Sequence, residues 1–353
     1  MTNKSSHPYQ SILHSLQYAF GRPLITGDLK LAPEDFRVTE VMEHQPCGEG
    51  EHYWVDATKT NLSSDKVAKA LARFADVMNR DVGYAGMKDV NAVTRQWFSV
   101  WAPKSQNLDW NKFAFEGVDV HTVTKHSRKI KRGAHTGNKF QILIRNIDGD
   151  TSELEDRIAK IKECGVPNYF GSQRFGWNAG NLSKAESMFD GSFKVRDKIL
   201  KGLLLSAARS FLFNVVVSSR IEAKTWLNLQ PGEPANLNGG NAIFTSEEET
   251  DNNQRLKSLD IHPTAPMWGR GVLEASQSYI ALRDWEAGVL AEYQLLQQGL
   301  ENRGLEYQRR ALRSVPLDLN FKVEGNHLEL NFGLQSGQFA TSVLREIVNV
   351  NAN

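Results

Sequence analysis

Sheet-forming ends around a helix-forming middle constrain the fold of this chain more than any other feature. Near the N-terminus, Pro33 marks a turn, and Phe36, Val38 and Val41 after it suggest a strand, as do 52–57, 94–101 and 141–145. Near the C-terminus, 317–323 and 327–332 alternate as a hairpin around Glu324-Gly325-Asn326, with a closing helix over 339–348. Within the first half, 63–79 is a helix: Val67, Ala70, Leu71, Phe74, Val77 and Met78 share one face, with Ser63 or Ser64 as cap and Asp65 at the positive end. The middle reads differently. An amphipathic helix over 151–164 is broken by Gly165-Val166-Pro167, a strongly apolar helix covers 203–221, and 279–312 is helical, split near Gly304. At 353 residues, two domains are expected. The pattern predicts an α+β domain built from 1–164 and 316–353, interrupted by a mostly helical domain over 165–315.

Composition narrows the function classes. An apolar fraction of 40% and a charged fraction of 24% are ordinary for a soluble protein. No apolar run approaches the roughly 20 residues of a bilayer span, and the polar start shows no secretory signal. Cys47 and Cys164 stand far apart and make neither a disulfide framework nor a zinc site, so the cytoplasm is the expected setting. A net charge of +1 argues against indiscriminate coating of nucleic acid but allows a local basic surface.

Two stretches carry chemistry. Gly-Tyr-Ala-Gly-Met-Lys-Asp over 83–89 joins the helix to a strand, with Asp89 where a tight turn would present it rigidly. An aspartate in such a loop is most often a turn former or cap. The second is the window 120–147, which has no acidic residue but holds Lys125, Arg128, Lys129, Lys131, Arg132, Lys139 and Arg145. A neutral chain has no compositional reason to cluster charge this way, so a phosphate-contacting surface is expected over a merely solvated face. Asn138 and Phe140, expected at a strand edge there, pair an amide that reads a base edge with a ring that stacks on it. Tyr169, Phe170, Arg174 and Phe175 suggest a hinge or a nucleic-acid contact.

Five ordered motifs then coincide: Pro-Glu-Asp-Phe at 33–36, Tyr-Ala-Gly-Met-Lys-Asp at 84–89, Gly-Asn-Lys-Phe at 137–140, Val-Pro-Asn-Tyr-Phe-Gly-Ser-Gln-Arg-Phe-Gly at 166–176, and Phe-Ala-Thr-Ser-Val-Leu-Arg-Glu at 339–346. With them the chain resembles the tRNA pseudouridine synthase D (TruD) family along nearly its whole length. The resemblance implies a pseudouridine-synthase catalytic domain, α+β around a mixed or antiparallel sheet, split by the family's inserted domain. It implies conversion of uridine-13 of tRNA to pseudouridine, an isomerisation without cofactor or metal. The implied partner is tRNA, held in a basic cleft between the two domains, with no membrane and a monomeric chain. Residue by residue, it implies Asp89 as nucleophile and Lys30 as its basic partner. It implies Phe36, Asn138 and Phe339 as pocket residues and Phe140 as the ring stacking on the target base. Lys125, Arg128, Lys129, Lys131 and Arg132 are the expected phosphate contacts.

The residues suit that chemistry. Breaking N1–C1′ and rejoining the base through C5 exchanges no electrons, and a lysine beside a carboxylate favours its charged form. The rival is a catalytically inactive RNA-binding protein on the same fold. A carboxylate at Asp89 argues against it, since it repels phosphate unless needed. Metalloprotease, nucleophile-elbow and P-loop motifs are all absent.

Overall fold

Strand His135–Asp148, 14 residues long, is the spine around which a ten-stranded mixed sheet forms in the computed structural model. The structure describes residues 8–103, 108–240, 242–245, 249–271 and 277–351. In chain order the strands of this sheet are β1 (Thr26–Leu29), β2 (Phe36–Met42), β3 (His52–Thr60), β4 (Val82–Tyr84), β5 (Val93–Trp101), β6 (Val118–His126), β7 (His135–Asp148), β8 (Leu317–Glu324), β9 (His327–Gln335) and β10 (Asn349–Val350). Their order is β8-β9-β7-β2-β5-β3-β6, with β1 joining β7 and β10, and β4 joining β5. The β2–β5 and β1–β10 pairs are parallel and the others antiparallel.

Two compact units divide the chain. One comprises 24–153, 316–338 and 348–353; the other comprises 1–23, 154–315 and 339–347. The first limit lies at 153/154 and not at the expected 164/165, because helix Leu154–Cys164 belongs with 1–23 and 339–347; the second lies at 315/316. Arg157 on that helix donates from Nη1 to the carbonyls of Gly21 and Glu346, both 3.0 Å away.

In the sheet unit, helix Ser64–Phe74 packs Val67, Ala68, Leu71 and Ala72 on the face formed by Tyr53, Val55, Ala57, Phe98 and Val100. Ser63 caps it, accepting from Lys66 N. The helix stops at Phe74, short of the expected Asn79, because Asp76 turns left-handed (φ 54°) and Val77 N bonds back to Ala72 O.

In the other unit, the apolar stretch becomes helix Lys198–Glu222, 25 residues long. By length and composition alone it could cross a membrane. Here it is the core helix: Leu204, Ala207, Ala208, Phe211, Leu212, Phe213, Val216 and Val217 are buried in the unit's apolar cluster. Its Asn214 is bonded to both backbone groups of Phe170, and Arg220 pairs with Glu233 at 3.0 Å. Tyr169, Phe170 and Phe175 are buried in the same cluster, so they serve as core there. The helical stretch expected over 279–312 breaks earlier than Gly304, giving helices Gln277–Val289 and Gln294–Asn302, and past Gly304 strand Gln308–Ala311 pairs with Thr264–Met267. Arg309 explains the strand, since its guanidinium meets the buried Glu286 at 2.7 Å and Thr264 O at 2.8 Å.

Candidate active site

Side-chain alternation puts Lys59, Thr94, Gln96, Phe36, Val38, Glu40, Asn138, Phe140 and Phe332 on one face of the sheet, the face that carries the Ser64–Phe74 helix. Asn138 and Phe140 are thus not at a strand edge. They sit inside β7, paired to β2 on one side and β9 on the other. A groove of about 710 Å³ is lined by residues of opposite parity, Arg37, Thr39, Lys139 and Gln141 among them, together with Val38, Asn138, Phe140 and Phe332 of the strands they sit on.

Loop 85–92, between β4 and β5, carries Asp89. Asp89 Oδ2 lies 3.0 Å from Lys30 Nζ, with its side chain 37% exposed and that of Lys30 21% exposed. The carboxylate is therefore paired yet reachable. Lys30 adopts left-handed backbone (φ 60°), uncommon for a long side chain. Its ammonium also lies 3.9 Å from the centre of the Phe36 ring. Phe36 meets Phe140 edge-on at 6.1 Å, and Phe140 stacks on Phe332 at 5.3 Å. Asp89, Lys30, Phe36 and Phe140, chosen from distant parts of the sequence, thus form one contiguous set. Asn138 joins through Lys88, whose Nζ donates to Asn138 Oδ1 at 2.6 Å. Phe339 belongs to the other compact unit, where its ring lies 5.5 Å from Phe170.

The glycines act differently from a tight turn. Neither Gly83 nor Gly86 has positive φ, and Gly83 lies in β4. A Cβ at Gly83 would stand 2.4 Å from Ile130 O, so its missing side chain admits the crossing chain.

That crossing chain is the basic loop. Trp54 Nε1 donates to Arg128 O (2.8 Å), Ile130 N to Ser99 Oγ (2.9 Å) and Gly133 N to Ala85 O (2.8 Å). Arg128, Lys129, Lys131 and Arg132 are exposed. Lys129 Nζ is bonded to Arg80 O, and Arg132 lies 4.0 Å over the Tyr84 ring, beside the Asp89 loop. Lys125 is half-buried near Tyr53. Arg145 is committed elsewhere, pairing with the buried Asp35 at 2.8 Å.

Several residues of the site escaped the sequence reading. Lys59, fully buried, donates from Nζ to Asp89 O (2.8 Å) and Leu62 O (2.6 Å). Burial pushes its pKa down to about 8, against the opposing pull of Asp89. Lys88 and Glu40 form a buried pair at 2.8 Å. Ser64 Oγ accepts from Lys88 N at 3.1 Å and donates to Gln96 Oε1 at 2.7 Å. His135, beside Gly86, is held neutral more firmly by burial and by Lys88. The one available signal was position: Lys59 continues the inward-facing series Tyr53, Val55, Ala57, where a lysine is costly unless partnered. Among the described residues, no group of three or more His, Cys, Asp or Glu is placed to hold a metal ion.

The family model of tRNA pseudouridine synthase D (TruD) matches residues 13–182 and 178–347. A Methylococcus capsulatus protein named tRNA pseudouridine synthase D is 42% identical over 346 residues, covering 98% of this chain and 97% of that one. A Nitrosococcus oceani protein of the same name is 43% identical over 338 residues, covering 94% and 93%. The fold matches a Methanosarcina mazei crystal structure titled as TruD with a TM-score of 0.77, at 20% identity, over 98% of this chain and 99% of that one. With ordered motifs, fold and near full-length relatives in agreement, this chain belongs to the TruD family of tRNA pseudouridine synthases.

Proposed function

We propose that this enzyme isomerises uridine-13 of tRNA to pseudouridine, with Asp89 as the nucleophile. The observation that carries the reading is the Lys30–Asp89 pair, 3.0 Å apart and partly exposed, beside the Phe36–Phe140 rings. A carboxylate so held is oriented by one ammonium while remaining open to a substrate.

In the reaction N1–C1′ breaks, the detached uracil rotates, and C5 bonds to C1′. The proton on C5 leaves and N1 takes one up, so atoms and electrons balance without a co-reactant. Asp89 either attacks C1′ as N1 departs or removes the 2′ proton. Both routes need the carboxylate fixed, a hold that Lys30 supplies at its Oδ2 and Lys59 at the main-chain carbonyl of Asp89. The target base must leave its stack, at a cost of a few kcal/mol. Stacking on an aromatic such as Phe140 returns about 1–3 kcal/mol. Arg128, Lys131 and Arg132 supply phosphate contacts beside the loop, Phe36 and Asn138 line the pocket, and Phe339 binds the substrate from its own unit. The catalytic domain corresponds to the sheet unit, and the chain acts as a cytoplasmic monomer without cofactor.

The test uses unmodified tRNA transcripts tritiated at uridine C5, because forming the C5 bond releases that label. The native chain releases it. Asp89→Asn, binding the same tRNA, releases none, and a transcript with cytidine at position 13 yields none with the native chain. Equal release by Asp89→Asn removes Asp89 from its role. Release that persists without uridine-13 rejects the position. Binding without release by the native chain favours the inactive RNA-binding alternative.

A further inference from the structure

Lys88 lies beside the nucleophile in sequence, yet its side chain turns away from it. The ammonium is 2.6 Å from Asn138 Oδ1 and 2.8 Å from Glu40 Oε2, with the Lys88 side chain 6% exposed and that of Glu40 wholly buried. Glu40 faces Asn138 directly across the β2–β7 register, and Trp97 N holds its other oxygen at 3.1 Å. An ammonium has only donors, so an amide NH₂ cannot face it. The orientation of the Asn138 amide, ordinarily ambiguous, is therefore fixed: oxygen toward Lys88, nitrogen away. Among the described residues Asn138 Nδ2 makes no hydrogen bond.

We propose that Lys88 is a positioning residue that locks Asn138 with its amide nitrogen toward the substrate base, so that the site reads a carbonyl oxygen and selects uracil over cytosine. The inference rests on the reading of Asn138 as a pocket residue.

The reaction itself explains why a fixed donor is suited to this place. Rotating uracil about its N3–C6 axis exchanges N1 with C5 and, with them, O2 with O4. A donor aimed at one carbonyl before rotation meets the other carbonyl after it. Cytosine carries an oxygen at C2 and an amino group at C4. Whichever edge Asn138 reads, cytosine sets a donor against the locked donor at one end of the reaction. An amide free to turn could accommodate both; an amide clamped by Lys88 cannot. The buried Glu40 balances the ammonium's charge, so the clamp remains a donor and does not need the substrate as counter-ion.

Two comparisons test this, both by tritium release from C5-labelled transcripts. The first sets Asn138→Asp against Asn138→Ala. Aspartate keeps the contact to Lys88 but turns an acceptor toward the uracil carbonyl. Release by Asn138→Asp should be about tenfold slower than by Asn138→Ala, which merely lacks the donor. Release equal to or faster than the alanine variant's overturns the proposal, since it means the amide had offered its oxygen. The second replaces the buried pair together, Lys88→Met with Glu40→Leu, leaving no unpaired charge to unfold the chain. With Asn138 free to turn, the ratio of uridine to cytidine release at the same position should fall at least about tenfold. Lys88→Arg, which still presents only donors, should keep the native ratio. An unchanged ratio in a folded Lys88→Met, Glu40→Leu enzyme overturns the clamp. If that variant does not fold, the Asn138 pair decides alone. Native release from uridine is measured first: without it the proposed function fails, whereas native release with a contrary Asn138 result refutes only this inference.

Discussion

Replacing Lys59 with methionine separates holding the fold from holding the Asp89 loop. The Lys59 ammonium is fully buried and bonds two carbonyls, Asp89 O and Leu62 O. Methionine fills similar volume, leaves both carbonyls without that donor, and removes a buried charge. Each hydrogen bond to a charged group contributes about 1.5–3 kcal/mol, so the two together lose about 3–6 kcal/mol. Against this, a pKa lowered from 10.5 to about 8 marks a burial penalty of about 3 kcal/mol, which the substitution relieves. Net destabilisation is therefore about 0–3 kcal/mol, within the tolerance of a domain of this size. Catalysis should suffer more. Asp89 loses the contact that fixes its own main chain, and displacement of a reacting group by about 1 Å costs on the order of 100-fold. Tritium release at saturating tRNA should fall about 10- to 100-fold, with tRNA affinity within about twofold of native, because Lys59 reaches no surface for phosphate. Urea unfolding of the same preparation gives the stability term. A folded Lys59→Met enzyme with native turnover would refute the reasoning, showing that Ser64, Gln96 and Lys30 hold the loop without it.

Two further outcomes follow from the same structure. Arg128→Ala with Lys131→Ala removes two exposed cations from the basic loop. The slope of log affinity against log salt should flatten by about 1.5, and an unchanged slope would take this loop off the RNA path. In the other unit, burial and then Arg313 push the His262 pKa down to about 4, and Arg313 Nε donates to its Nδ1 at 2.9 Å. The folded value lies below the ordinary 6.5, so the unfolded chain binds more protons between the two. That contribution is complete above about pH 6.5 and is lost as pH falls through about 4; it amounts to about 3 kcal/mol. Urea unfolding read by the buried Trp226 and Trp268 should show the loss in the native chain and a flatter pH profile in His262→Gln. Parallel profiles would exclude His262 as its source.

Features set by local chemistry were legible in the sequence. Ser63 caps the helix it precedes, and Glu324-Gly325-Asn326 turns the hairpin, with Gly325 at φ 59°. The pairing of Lys30 with Asp89 was also readable, though only through ordered motifs; no spacing rule connects positions so far apart. What was not legible depended on partners supplied by the fold. Arg309 reads as part of a helical run until Glu286 and Thr264 are placed around it. Tyr169 and Phe170 resemble recognition aromatics in a polar loop, but Asn214 supplies the backbone partners that let Phe170 enter the core. Gly83 looks like turn chemistry and is instead an allowance for the Ile130 carbonyl. Lysines are the hardest case, because composition treats them as surface. Lys59 and Lys88 are interior only because carbonyls, an amide and Glu40 receive them.

These interior lysines explain how a loop without regular structure can present a carboxylate rigidly. Buried backbone groups must find partners, and loop 85–92 has few strand partners of its own. Neighbouring elements provide them. Gly133 N bonds Ala85 O, Gln96 Nε2 bonds Gly86 O at 3.3 Å, Ser64 Oγ receives Lys88 N, and Lys59 bonds Asp89 O. The anchors come from the basic loop, β5, the helix start and β3, so four segments must be in place before Asp89 is. All four grip main chain, leaving the carboxylate with Lys30 as its charged partner. A carboxylate tied down by its own oxygens would have fewer lone pairs for substrate and would give up contacts as the reaction advanced. Fixing the backbone instead separates rigidity from reactivity: the site can be stiff while the reacting atoms stay free. The same division recurs at Asn138, where Lys88 takes the amide oxygen and leaves the nitrogen. In both places a buried ammonium holds one part of a polar group and leaves the other part open.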